Sequence, residues 1–372
     1  MIKFLLLLSI GIIPLVLWGS YFYLKNPRKE AGREVFKILA LGTISILPVI
    51  LFHQWLLKKV VKSIEAAWPL FEAPFFKAVL ELGLLMLFIL LFVSLFALIS
   101  ALIKAFKPKD PFYIAKKVSV YKKLYHLTPI LVLFVALSLI DGLSNLILKE
   151  SFLLSLTGSI LVFAILEEYF KYIINPFLVQ KKIHSVGTAM VHALYVGLAF
   201  AFVENLLFFY VNIDSPEFES VVIYRSIFTT LLHISASGIL GYFYGLSLFS
   251  GSILTNYEIE KGKYKVPFWV APFFKKETVF ESISVNQGFF LAAMVHSGFN
   301  IFLNFGMKTT ASVLVILVAV AVVFLLRSKI SQVQYGLIGT TTMPEIDFEQ
   351  LRLKISVLKE MKGIRDMRLK LV

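Results

Sequence analysis

Two adjacent glutamates and a lysine, Glu167-Glu168-x-x-Lys171, stand in a stretch that is otherwise almost wholly apolar. On a helix the two carboxylates point about 100° apart, and Lys171 lies one turn on from both. One glutamate can therefore pair with the lysine while the other faces a different neighbour. An ion pair that serves structure alone needs one carboxylate, so the second is a candidate for chemistry. Three further apolar stretches carry polar groups: Phe200-x-x-x-Glu204-Asn205, His233 with Ser237, and His296 with Asn300. Each pair is separated by four residues and shares one helix face. With no cysteine in the chain, thiolate nucleophiles, disulfides and cysteine-based metal centres are excluded. Chemistry must come from carboxylates, histidines, hydroxyls or amides.

The elements that position these groups follow from composition. Of 372 residues 58% are hydrophobic and 16% charged, against roughly 45–50% and about 25% in an ordinary soluble domain. The pattern is that of an all-α, polytopic transmembrane helical bundle. Nine apolar stretches, 4–23, 38–57, 78–103, 127–147, 152–179, 188–210, 220–250, 283–305 and 310–326, are each long enough to cross a hydrocarbon core of roughly 30 Å. A charge at the bilayer centre costs roughly 2.5–3.5 kcal/mol on insertion scales, so such residues are kept where they are paired, hydrated or used. Glu167, Glu204, His233 and His296 fall at comparable depth in four different spans, which points to one water-containing cavity.

The net charge of +14 reads as a by-product of topology rather than as a sign of nucleic acid. Counted by alternate sides of the nine spans, Lys and Arg divide 29 to 8, which places the amino terminus outside and the carboxyl terminus in the cytoplasm of a cell membrane. The four lysines in 58–77 run against this scheme; the acidic segment Asn212–Ser220 supports it. The first span reads as a retained anchor rather than a signal peptide. The chain divides into N-terminal membrane helices (1–147), a membrane core (148–327) and a basic tail (328–372). The tail, from Phe348 onward, has the spacing of an amphipathic helix lying on the inner membrane surface or the bundle, or of a solvated terminal helix. Other polar residues have plainer readings. His53 and His192 suit helix-to-helix hydrogen bonds, and Glu81 and Asp141 lie near span ends. Arg225 can snorkel or pair with Asp141 or Glu204, and Gly238, Gly241 and Gly245 suit close helix packing.

Taken together, Glu167-Glu168-x-x-Lys171, Phe200-x-x-x-Glu204-Asn205, His233 and His296-x-x-x-Asn300, in that order and each in its own apolar span, resemble the PrsW-type intramembrane proteases. That family belongs to the wider group of CAAX-processing and bacteriocin-processing enzymes. The resemblance covers about residues 150–305. In the CAAX branch the second motif ends in His; Glu204 places this chain with the PrsW branch. The resemblance implies an endopeptidase that cleaves a membrane-embedded or lipid-linked protein, such as a single-span anti-sigma factor, within or beside the bilayer.

Peptide hydrolysis needs a base for water, a donor for the developing oxyanion and an acid for the leaving amine. A carboxylate poorly solvated in an apolar bundle becomes a stronger base than in water. On this reading Glu167 is the base, Glu168 with Lys171 the orienting pair, and His296 with Asn300 the oxyanion donors. Glu204 and His233 position the water, and Asn205 and Arg225 act in support. No cofactor is expected on this route. A zinc version of the same enzyme uses Glu204, His233 and His296 as ligands and leaves a fourth position for water. A membrane scaffold, or a transporter with these groups as an ion path, is the reading from a different class.

Overall fold

The computed structural model describes residues 2–25, 32–52, 156–174, 183, 185–250, 253, 265 and 276–334. Every element among them is helical: α1 (Ile2–Lys25), α2 (Gly32–Ile44), α3 (Leu47–Leu51), α4 (Leu156–Ile174), α5 (Val186–Val211), α6 (Phe218–Tyr224), a π-turn (Arg225–Thr229), α7 (Thr230–Leu248), α8 (Lys276–Asn304) and α9 (Lys308–Gln334). Four stretches among the described residues are long and apolar enough to cross a membrane: Gly32–Leu51, Val186–Val211, Phe218–Leu248 and Lys308–Lys329. The expected spans 78–103 and 127–147 lie outside the described residues. Helices α4 and α8 carry the polar residues of the candidate site: three charges in α4, and His296, Asn300 and further amides in α8.

Helix α5 is the axis. Ser185 caps it, its Oγ accepting from the Thr188 amide at 3.1 Å, which satisfies one of the donors that a helix start leaves open. Most of its length is buried, because α1, α2 and α7 all pack on it. A helix apolar on every side is what such a position requires. Small residues let α7 approach closely: a side chain at Gly197 would come within 2.6 Å of the His233 carbonyl, and one at Gly241 within 2.9 Å of the Ala189 carbonyl. This contact draws His233 of α7 toward Glu204 of α5. Helix α8 packs on the far side of α7 and against α4, with Phe289 edge-on to Tyr169 at 6.0 Å.

Three boundaries differ from the sequence reading. The second stretch is interrupted at Ser45 and Ile46, just before Pro48, which enters the first turn of α3 and lacks an amide hydrogen to continue α2. The seventh contains a π-turn, which hydropathy does not register. The ninth runs on to Gln334, so the division placed at 327 falls within a helix: polar residues continue a helix as readily as apolar ones once it leaves the apolar zone. Beyond Gln334 the expected tail helix lies outside the described residues.

Candidate active site

Helix α4 supplies Glu167, Glu168 and Lys171, α5 supplies Glu204 and Asn205, α7 supplies His233, α8 supplies His296 and Asn300, and the π-turn supplies Arg225. Glu168 and Lys171 are fully buried and joined at 2.5 Å. Glu168 Oε1 also meets Nδ1 of His296 at 2.6 Å, and Lys171 Nζ meets Nδ1 of His233 at 3.1 Å. The Phe200 ring lies 4.9 Å from the Lys171 ammonium and 5.2 Å from the His233 ring. The two imidazoles stand edge to face with centroids 4.9 Å apart.

Glu167 leaves α4 at a different angle, about 100° from Glu168, and meets the other nitrogen of the same His296 ring. Its Oε2 lies 3.5 Å from His296 Nε2. Across the site, Glu204 Oε1 accepts from Arg225 at 2.7 Å, while Glu204 Oε2 touches Nε2 of His233. The side chains of Glu167 and Glu204 retain 15% and 21% of their exposure, against 2% or less for Glu168, Lys171, His233 and His296. The accessible side of the site is therefore the one carrying these two carboxylates.

Donors and acceptors do not balance within the site. The Oε2 atoms of Glu167, Glu168 and Glu204 and Nε2 of His233 are buried and make no hydrogen bond of good geometry among the described residues. Leaving such atoms unpaired is costly. One ligand atom each from Glu167, His233 and His296 lies within 4.8 Å of the others. Nitrogen and carboxylate oxygen donors of this kind suit zinc. Glu168 also supplies the outer carboxylate that commonly orients a metal-bound histidine: if its contact with His296 carries the hydrogen on Nδ1, the lone pair of Nε2 is turned toward Glu167. The residues present thus fit a divalent ion.

The structure brings together Glu167, Glu168, Lys171, Glu204, His233 and His296, with Asn205 and Arg225 at the edge. Asn300 lies one turn beyond His296 on α8, half-buried, with no hydrogen-bond partner among the described residues. Of the two partners open to Arg225, the contact is with Glu204; Asp141, Glu81 and His53 lie outside the described residues. His192 is buried in α5, more than three turns from Glu204. The metal-capable trio contains Glu167 where the sequence reading placed Glu204. With Nδ1–H on Glu168, a neutral His296 presents a lone pair at Nε2 rather than a donor for an oxyanion. Sequence reasoning did not single out Phe208, whose ring lies 3.6 Å from the Arg225 guanidinium, or Thr230, which bonds Asn205 at 3.0 Å. A turn of spacing from Glu204 to Phe208 was the available signal for the first.

Residues 124–326 match the family described as PrsW family intramembrane metalloprotease. Neither the curated proteins nor the solved structures hold a match to the chain.

Proposed function

Because the chain belongs to the PrsW family of intramembrane metalloproteases, we propose that it is an endopeptidase hydrolysing membrane-associated protein substrates at a centre built from Glu167, His233 and His296. The observation that carries this reading is the convergence of their ligand atoms within 4.8 Å inside an apolar bundle. These three residues would hold a divalent ion, zinc by its donor set, which would supply Lewis-acid chemistry to the hydrolysis. Glu204, held by Arg225 through Oε1, presents Oε2 beside His233 to take the proton of the attacking water and return it to the leaving amine. Glu168 fixes the ring of His296, and Lys171 neutralises Glu168. The Asn300 amide donates to the developing oxyanion.

A second reading has its own observation. Lys171 Nζ lies 3.1 Å from Nδ1 of His233; if it donates there, the ring hydrogen resides on Nε2, facing Glu204, and this ring is no ligand. Glu167 becomes the base of a metal-free hydrolysis, as the sequence reading has it.

Across the nine expected spans, the positive-inside count supports an outside amino terminus and a cytoplasmic tail. Fusions after residues 30, 115, 265 and 345 are expected to read cytoplasmic and one after 215 exterior. A single-span or lipid-linked protein is the substrate class that a site opening inside the bilayer suits. The deciding experiment is cleavage of tagged single-span and lipid-linked peptides by the purified full chain in proteoliposomes, with chelator and with Glu167→Gln as controls. Defined products that chelator and Glu167→Gln both abolish support the proposal. No product from any peptide overturns the protease reading, and products that survive chelation favour the metal-free route.

A further inference from the structure

The helix that runs from Phe218 to Leu248 is broken into π geometry only at Arg225–Thr229. A π-turn is less favourable than α-helix and recurs at functional sites. Here the Arg225 carbonyl takes the backbone amide of Thr230, five residues on, and two side chains reach it as well: Asn205 Nδ2 at 3.3 Å and Thr230 Oγ1 at 3.4 Å. Asn205 Nδ2 also donates to Thr230 Oγ1 at 3.0 Å, and Asn205 Oδ1 accepts from Arg225 Nε at 3.2 Å. Asn205 therefore grips both the backbone and the side chain of Arg225. The opposite face of the guanidinium rests on Phe208, and its remaining edge holds Glu204 Oε1. Thr230 and Asn205 are both buried, at 2% and 3% exposure, so these bonds stand in a poorly solvated setting where losing one is felt.

We propose that Thr230, with Asn205, is a positioning residue of the site: it clamps the π-turn so that Arg225 holds Glu204 Oε1 and leaves Oε2 turned to His233. Thr230 touches no reacting atom. It acts through a relay that runs from Thr230 to Asn205, from Asn205 to Arg225 and from Arg225 to Glu204. The side-chain bonds from Asn205 and Thr230 add to the backbone bond that the Arg225 carbonyl already takes, and so help to offset the cost of the π-turn at this level. The inference rests on the proteolytic reading for its effect on turnover, while the clamp itself does not.

Two measurements on the full chain in proteoliposomes test it. The first is the rate at which phenylglyoxal modifies Arg225, followed by mass spectrometry, which requires no activity. Thr230→Val, which keeps the shape and removes the hydroxyl, is expected to raise this rate about fivefold to tenfold, the size of one lost buried hydrogen bond; Thr230→Ser is expected to match the parent protein. The second is a double-mutant cycle on peptide cleavage with Thr230→Val and Arg225→Ala. Thr230→Val is expected to lower kcat about fivefold to tenfold with KM nearly unchanged, and to add nothing in the Arg225→Ala background. Unchanged labelling in Thr230→Val overturns the clamp, as do effects of the two substitutions that multiply. Increased labelling in a protein that cleaves no peptide sustains the clamp and sinks the proteolytic reading instead, so the two failures are distinguishable.

Discussion

Two cation–carboxylate pairs flank the site, and they differ in kind. Lys171 and Glu168 meet at 2.5 Å with 1% and 0% of their side chains exposed; Arg225 and Glu204 meet at 2.7 Å with 13% and 21% exposed. The first pair is closed on itself through both histidines, so it fixes two rings and has little freedom to react. The second uses one carboxylate oxygen for the arginine and leaves the other beside His233. Breaking a buried pair strands an uncompensated charge and costs roughly 3–5 kcal/mol, whereas a partly hydrated pair is worth less. The difference teaches that a closed pair holds the rings of the site in place, whereas a half-open one leaves a carboxylate oxygen placed as the proposed base requires.

The largest effects should come from separating these jobs. Glu204→Gln is expected to leave the thermal unfolding profile near that of the parent protein while peptide cleavage falls about 10²- to 10⁴-fold, the range for a lost general base. Glu168→Gln should instead destabilise the fold by about 3–5 kcal/mol, read as a lower unfolding midpoint in detergent. Adding Lys171→Met to it should recover much of that stability without recovering turnover, because the stranded cation is gone but His296 still lacks its carboxylate. A Glu204→Gln variant as unstable as Glu168→Gln would erase the comparison.

Asn300→Ala sharpens it further, since this amide is assigned to the transition state alone. Turnover should fall by about 2.7–4 kcal/mol, with substrate affinity nearly unchanged; equal losses in both would make Asn300 a substrate-binding residue. The smallest expected effect comes from the helix contact that brings the two halves of the site together. Gly197→Ala places a methyl 2.6 Å from the His233 carbonyl and should cost about 1–3 kcal/mol of stability, with a partial loss of activity. Unfolding midpoints and cleavage rates measured together check it.

Much of this was legible in the chain itself. Glutamates, histidines and amides are costly in apolar helices, so their clustering in four stretches pointed to the candidate site, and the offset of Glu167 from Glu168 foretold that one of them pairs with Lys171 and the other does not, although both reach the ring of His296. The partner of Arg225 was narrowed to two. Which glutamate joins the histidines was not legible, because that depends on where α4 and α5 cross α7 and α8, and the crossing is set by small residues such as Gly197 and Gly241. The π-turn was hidden for a related reason: the bonds that sustain it come from Asn205, twenty residues away in α5. The family match at 124–326 reaches beyond the region of resemblance on both sides, and its description as a metalloprotease turns attention from the metal-free route to the Glu167–His233–His296 trio.

The most direct test of that trio is the metal content of the purified full chain, measured by mass spectrometry of the elements for the parent protein and single variants. The account predicts about one divalent ion per chain, zinc by its donor set, lost in Glu167→Gln, His233→Ala and His296→Ala and retained in Glu204→Gln and Asn300→Ala. A parent protein that cleaves peptide while holding no metal, or an ion lost with Glu204 and kept without Glu167, would contradict it.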